Sequence, residues 1–426
     1  EKAEEIVYRN AINNVEAFNA SNMALTAVDP KTGEILVMVG SRDYFDADID
    51  GAYNVVVSHP GRQPGSAFKP FAYAQALLKG YTPETVVFDV KTQFGTACAP
   101  DNFSKEYPCF SPDNYDNLFR GPMTLRNALA QSINVPAVKV LYLAGLSETL
   151  SLAKSMGIAT LGNPNQYGLT LVLGGGEVTL LDITNAYGTF ATDGIHTPTT
   201  PILRIEDASG QVIEDGFHEQ GVRVLPAGVA QQMNDMLSDP VAREPLGNTA
   251  LNFPGYDVAV KTGTTNEYRD AWTIGYTPNV VVGIWAGNND NTPMVKKVSG
   301  LIVGPAWREF MQYALTETPV TSFSRSDAPS PAFKPVLRGI WQGNTTYVQN
   351  NIEFVQQSVH EILHWVDKHN PTGPVPTDPQ NDSQYTLWAL PVRAWAQQNG
   401  YADGVSVPVG PVNPIFSTST TPVTIR

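Results

Sequence analysis

Asp257-Val-Ala-Val-Lys-Thr-Gly-Thr-Thr-Asn-Glu-Tyr-Arg-Asp-Ala-Trp-Thr-Ile-Gly-Tyr-Thr-Pro-Asn-Val-Val-Val-Gly-Ile-Trp-Ala286 is the stretch that decides the fold. It holds three β-rich runs, Asp257–Lys261, Ala271–Tyr276 and Val280–Trp285. Turn formers separate them: Asn266-Glu-Tyr-Arg-Asp270 and Thr277-Pro-Asn279. β-Branched and aromatic residues interrupted in this way read as an antiparallel meander. Far upstream, Met23-Ala-Leu-Thr-Ala-Val-Asp29 and Glu34-Ile-Leu-Val-Met-Val39 flank the turn Pro30-Lys-Thr-Gly33 and read as a hairpin. The segments between these two strand blocks read as helices. The expected fold class is α/β of the α+β kind, a roughly five-stranded antiparallel sheet flanked by helices.

Outward from the sheet, residues 1–20 read as an amphipathic helix, and Ser66 to Lys79 as a helix following Gly65. Residues 82–122 read as a long loop, Thr124 to Gln131 as a short helix, and Pro136 as the opening of another that ends near Ala144. Composition shifts to Ser, Thr and Pro between Thr316 and Pro335. The expected organisation is an N-terminal helix over 1–20, a main domain over 21–320, a linker over 321–335 and a small C-terminal unit over 336–426. That unit is expected to carry a helix from Glu353 to Val366.

The whole chain has 426 residues and a net charge of −14. Such length is ample for a large core, and the acidity argues against a nucleic-acid partner. No apolar run is long enough to span a bilayer. The chain starts at Glu1 rather than Met, so it is read as a piece of a longer protein. Its two cysteines, Cys98 and Cys109, bracket a polar loop. They are either bridged, which suits an oxidising compartment, or free.

Three short motifs follow one another: Ser66-Ala-Phe-Lys69, Ser132-Ile-Asn134 and Lys261-Thr-Gly-Thr-Thr265. A serine and a lysine three apart share a helix face, and a helix start favours developing negative charge. Lysine serves as a base once burial lowers its pKa. Ser132 and Asn134 lie between two helices, where both can reach one cleft, or Asn134 can simply cap the next helix. Lys261 to Thr265 end a strand where an extended peptide can pair, and Gly263 permits its close approach. Second copies, Ser151-Leu-Ala-Lys154 and Lys31-Thr-Gly33, lie inside a helical run and in a hairpin turn.

With the longer stretches Arg62-Gln-Pro-Gly-Ser-Ala-Phe-Lys-Pro-Phe71, Arg120-Gly-Pro-Met-Thr-Leu-Arg-Asn-Ala-Leu-Ala-Gln-Ser-Ile-Asn-Val-Pro136 and Lys261–Trp272, the chain resembles the transpeptidase domain of class A, bifunctional penicillin-binding proteins. The likeness runs from about residue 20 to about residue 315. It implies the fold shared by these proteins and β-lactamases, and a serine D,D-transpeptidase that cross-links peptidoglycan and is acylated by β-lactams. Ser66 would be the nucleophile, Lys69 its base, Ser132 the proton relay and Asn134 the holder of the substrate amide. Lys261 and the hydroxyls of Thr262 and Thr264 would position the terminal carboxylate, Gly263 and Thr265 would complete the substrate-binding strand, and the Ser66 and Thr264 amides would form the oxyanion hole. No cofactor or metal is implied. The partners implied are stem peptides ending in D-Ala-D-Ala and β-lactams, with a glycosyltransferase domain and membrane anchor upstream in an extracytoplasmic parent.

Two alternatives stay open: a carboxypeptidase or β-lactamase of the same fold, and a wall-binding or sensing module without catalysis. A β-lactamase of that class needs a Glu-x-x-Leu-Asn segment, and Glu177-Val-Thr-Leu-Leu181 lacks the Asn. His360-Glu-Ile-Leu-His364 matches the zinc-protease pattern, yet no third ligand follows at the usual spacing. Phe354, Val355, Val359, Ile362, Leu363 and Val366 instead suggest one apolar stripe of a helix, with the histidines on a solvated flank. Trp341, Trp365, Trp388 and Trp395 are expected to fill a small core.

Overall fold

The computed structural model describes residues 1–216, 220–247, 251–341, 345–356, 359–401 and 407–411. Five antiparallel strands form the central sheet in the order β2-β1-β11-β10-β9. They are β1 (Asn22–Val28), β2 (Ile35–Val39), β9 (Ala259–Thr264), β10 (Asp270–Thr277) and β11 (Val280–Gly287). Strands β1, β10 and β11 are buried along their whole length, because helices cover both faces. Successive side chains then enter two different cores. Met23, Leu25, Val282 and Ile284 pack with α1 (Lys2–Phe18) and α10 (Gly304–Glu317). Ala24, Trp272, Ile274, Tyr276 and Trp285 pack on the opposite face, against α2 (Lys69–Leu78), α4 (Asn134–Ala144) and α6 (Leu180–Ala191).

Smaller elements complete the chain. A ribbon of β3 (Val86–Asp89) and β4 (Gly121–Thr124) precedes α3 (Leu125–Ala130), and α5 (Leu146–Ser155) follows α4. Two short ribbons pair β5 (Ile195–His196) with β8 (Val222–Arg223), and β6 (Arg204–Glu206) with β7 (Val212–Asp215). Then come α7 (Ala227–Ser238), α8 (Pro240–Arg243) and α9 (Ser299–Ile302). The C-terminal segment holds β12 (Thr345–Gln349), β13 (Ile352–Gln356), α11 (Ile362–Trp365), α12 (Tyr385–Gln398) and β14 (Val407–Pro411).

Three local expectations are corrected. The helix expected from Ser66 begins only at Lys69, and Gly65–Phe68 form a 3-10 turn before it. Pro70 explains the boundary: lacking an N–H, it fits only the first turn of an α-helix. The 82–122 loop contains β3 and the start of β4, which pair across it. The helix expected from Glu353 to Val366 is instead β13, with the short α11 further on. Its signal was the pair Asn350-Asn351, both at positive φ, which joins β12 to β13 as a tight hairpin turn.

The C-terminal segment shares the main core. Val336, Leu337, Ile362, Leu363, Trp365, Val366, Leu387 and Trp388 are buried in one cluster with Phe68, Phe71 and Val138. Trp341 and Trp395 pack edge-to-face against each other and against Phe88 of β3. Residues 321–335 are pinned as well: Phe323 packs on Tyr276, and Arg325 bridges Asp235 and Asp257.

Candidate active site

The three motifs converge on one cleft of about 710 Å³, lined among others by Ser66, Ser132, Asn134, Thr262 and Thr264. Ser66 lies in the 3-10 turn, half-buried, and among the described residues its hydroxyl has no hydrogen-bond partner. The turn is wedged against β9. A Cβ on Gly65 (φ +54°) would fall 2.4 Å from the Thr264 carbonyl, and one on Gly263 would fall 2.2 Å from the Pro64 carbonyl. Only glycine at both positions lets the two backbones meet so closely. On either side of Ser66, Trp272 donates to the Gln63 carbonyl at 2.8 Å and Tyr187 donates to the Ala67 carbonyl at 2.6 Å.

Lys69, the first residue of α2, is fully buried beneath the cleft. Its ammonium donates to the carbonyls of Ser132 (2.7 Å) and Ile133 (3.2 Å) and to Asn134 Oδ1 (2.8 Å). All three acceptors are uncharged. Burial, then the positive Lys261, hold its pKa well below the usual lysine value, and Asp89 pulls weakly the other way. Ser132 occupies the left-handed region at φ 61°, unusual for a side chain with a Cβ and a mark of a functional turn. Its hydroxyl accepts from Lys261 Nζ at 2.7 Å. Lys261 is itself buried and donates to the Thr262 carbonyl at 2.9 Å; burial lowers its pKa to about 7.

Asn134 opens α4, where a neighbouring loop anchors it. Asn114 Oδ1 accepts from the Asn134 and Val135 amides at 3.0 and 3.2 Å, capping the helix from a different part of the chain. Asn114 is in turn held by the buried Asp89 at 2.7 Å, and Asn134 Nδ2 donates to the Asp113 carbonyl at 2.9 Å. This loop contains the Cys98–Cys109 disulfide, which settles the open pairing.

The outer rim of β9 reveals a residue the sequence did not suggest. Ser299, opening α9, sits 2.5 Å from Thr264 Oγ1 and also donates to the Gly263 carbonyl. A lone serine 35 positions from Thr264 carries no local pattern, so no sequence signal marked it. Thr265 lines the cleft, but its hydroxyl accepts from the Asp270 amide at 2.9 Å.

The competing motifs lie elsewhere. Ser151 is on the exposed face of α5, and Lys31 is in the β1–β2 turn, donating to Asn279. Glu177 is exposed and is absent from the lining of the Ser66 cleft; with Arg62 and Arg269 it lines an adjoining polar pocket of about 570 Å³ that meets the cleft at Glu267. Glu361 is buried and paired with Lys139, and the His360 and His364 rings stack at 3.8 Å. The two histidines are half-buried against Trp365 rather than on the solvated flank expected of them, because the neighbouring Val359, Ile362, Leu363 and Trp365 are buried. Burial takes the His364 pKa down to about 3.

Residues 23–312 match the family described as the penicillin binding protein transpeptidase domain. Penicillin-binding protein 1A of Aquifex aeolicus is 36% identical over 304 residues, 70% of this chain and 39% of that protein. Penicillin-binding protein 2D of Bacillus subtilis is 30% identical over 315 residues, 72% of this chain and 43% of that protein. The chain thus spans less than half the length of these relatives. The solved penicillin-binding protein 1A of Haemophilus influenzae superposes with a TM-score of 0.60 at 25% identity, covering 75% of this chain and 51% of that one. A penicillin-binding protein of Mycobacterium tuberculosis, solved with penicillin V, shares the fold with a TM-score of 0.62 at 22% identity, over 76% of this chain and 86% of that one. With its cleft motifs inside the matched stretch, this chain belongs to the penicillin-binding protein transpeptidase family.

Proposed function

We propose that the chain is a serine D,D-transpeptidase acting on stem peptides that end in D-Ala-D-Ala. The observation that carries this reading is one hydrogen-bond chain through all three motifs: Lys69 to the Ser132 and Asn134 positions, and Ser132 Oγ to Lys261. In its neutral form, favoured by burial and by Lys261, Lys69 takes the Ser66 proton. Ser66 Oγ then bonds the carbonyl carbon between the two D-alanines. The Ser66 and Thr264 amides hold the oxyanion, each worth about 3–4 kcal/mol. The C–N bond to the terminal D-Ala breaks, and Ser132 relays a proton to the leaving amine. Asn134 holds the substrate amide, while Lys261, Thr262 and Thr264 receive the terminal carboxylate along β9, with Gly263 admitting the peptide backbone. The amine of a second stem peptide attacks the ester, forms the cross-link and frees Ser66. The alternative hydrolase reading needs a water activator at the ester, and Glu177 is not among the residues lining the Ser66 cleft.

Residues 21–320 are taken as the catalytic unit, with 1–20 as its N-terminal helix. An extracytoplasmic setting is supported by the disulfide. The whole parent would add a glycosyltransferase domain and a membrane anchor.

Intact mass after incubation with a penicillin tests the assignment. A β-lactam keeps its leaving nitrogen tethered, so acylation adds the full drug mass. One stable adduct on the wild type and none on Ser66→Ala is the expected result. Rapid loss of the adduct points to the hydrolase, and no adduct at all points to a binding module.

A further inference from the structure

A buried ion pair joins the C-terminal segment to α4. Lys139 Nζ lies 2.6 Å from Glu361 Oε2, and neither side chain reaches solvent. Lys139 also donates to the Phe88 carbonyl at 2.9 Å and lies 5.2 Å from the Trp388 ring centroid. Further along α4, Tyr142 donates to Asp382 at 2.7 Å and accepts from Lys368 at 2.6 Å. The helix is therefore gripped by the C-terminal segment at two points.

The other end of α4 carries the chemistry. Its first residue is Asn134, and the residues around that start give Lys69 its three acceptors. Lys139 stands five residues on, about 7.5 Å along the axis and about 140° around the helix. It does not line the cleft. A hydrogen-bonded helix moves as a rod, so fixing α4 at Lys139 sets where its first turn lies. The end of β3 ties both sites together. Asp89 holds Asn114, which caps α4, while the adjacent Phe88 carbonyl receives Lys139. Stability alone does not explain the pair, since an apolar pair of similar volume is often as stable. What the charges add is directed hydrogen bonding, which fixes position.

We propose that Glu361 is a positioning residue for acylation at Ser66: through Lys139 it holds α4 so that Ser132, Ile133 and Asn134 meet Lys69. The proposal rests on the transpeptidase reading above. It makes the segment around Glu361 and Trp388 part of the active-site scaffold, and it gives the glutamate of the His-Glu-x-x-His motif a role that needs no metal.

Stopped-flow acylation of the full chain by a fluorescent penicillin separates the affinity of the initial complex from the first-order acylation constant. The measurement is made where circular dichroism shows each variant fully folded. Glu361→Gln is expected to lower the first-order constant by at least about tenfold, as a small misplacement of catalytic groups does. The affinity of the initial complex is expected to stay within threefold. A lower melting temperature with a wild-type acylation constant would overturn the proposal. Should Glu361→Gln fail to fold, the double variant Lys139→Met/Glu361→Leu leaves no unpaired buried charge and is measured in the same way. Slow acylation there supports positioning, and a wild-type constant overturns it. Wild-type protein that takes up no penicillin sinks the transpeptidase reading itself, and the proposal with it.

Discussion

Lys69 and Lys139 are both fully buried lysines, and both are tied to α4 and feel Asp89. They differ in their nearest partners. Lys69 meets three uncharged oxygens and the like-charged Lys261. Lys139 meets the carboxylate of Glu361. Burial lowers both pKa values, and Glu361 offsets part of that fall for Lys139. A buried lysine without a counter-ion gives up its proton readily, whereas one with a carboxylate keeps it. The first environment suits proton transfer and the second suits holding a helix.

The largest expected effect separates the two roles. Lys69→Met should slow acylation by roughly 10²–10⁴-fold, the range for loss of a general base. In the wild type, acylation should rise with pH as Lys69 deprotonates. Because its pKa is depressed, that rise should be complete well below the ordinary lysine value of 10.5. Rates measured with a chromogenic β-lactam across pH check both statements. A rise still climbing at pH 10.5 would show an ordinary lysine, and the contrast with Lys139 would fail.

Lys139→Met should act first on stability. It strands Glu361 as an unpaired buried charge, which typically costs about 3–5 kcal/mol. Urea unfolding measures this directly. A loss below about 1 kcal/mol would mean that solvent or another cation reaches Glu361.

These two lysines also mark what the sequence reveals. Strands β1, β9, β10 and β11 stood out because apolar runs and turn residues are local signals. The motif around Lys69 was legible for the same reason, with Ser66 and Lys69 three residues apart. Lys139 and Glu361 are 222 positions apart, and nothing near either predicts the other. Glu361 even sat inside a local pattern that suggested zinc. Asn114 and Ser299 were hidden likewise, since each acts on a motif from a different part of the chain. The cysteine spacing left bridge and free thiols open until the fold brought the Cα atoms within 5.7 Å.

That disulfide offers an intermediate effect in the loop whose Phe110, Asp113 and Asn114 line the cleft. It closes a short loop, with a sequence separation of 11. Chain entropy then gives it about 3 kcal/mol. The double variant Cys98→Ser/Cys109→Ser should lose up to that much in urea unfolding. Its Ser66 adduct should still form, because Asn114 is anchored independently by Asp89. Complete loss of acylation would place the disulfide loop, rather than the Asp89 anchor, in control of Asn134.

The smallest expected effect tests whether burial, and not charge pairing as such, makes the Lys139 bond strong. Arg325 also meets carboxylates, with both oxygens of Asp257 at 2.9 Å and Asp235 at 3.1 Å, yet its side chain is 56% exposed. Water already solvates that guanidinium, so pairing gains little over hydration. Arg325→Ala should therefore cost only about 0.2–1 kcal/mol. Salt sharpens the distinction. At 1 M the screening length falls to about 3 Å, so the Arg325→Ala penalty should nearly vanish while that of Lys139→Met persists. Equal salt sensitivity of the two penalties would mean that solvent reaches Lys139. The distinction between a helix-holding pair and a surface pair would then collapse.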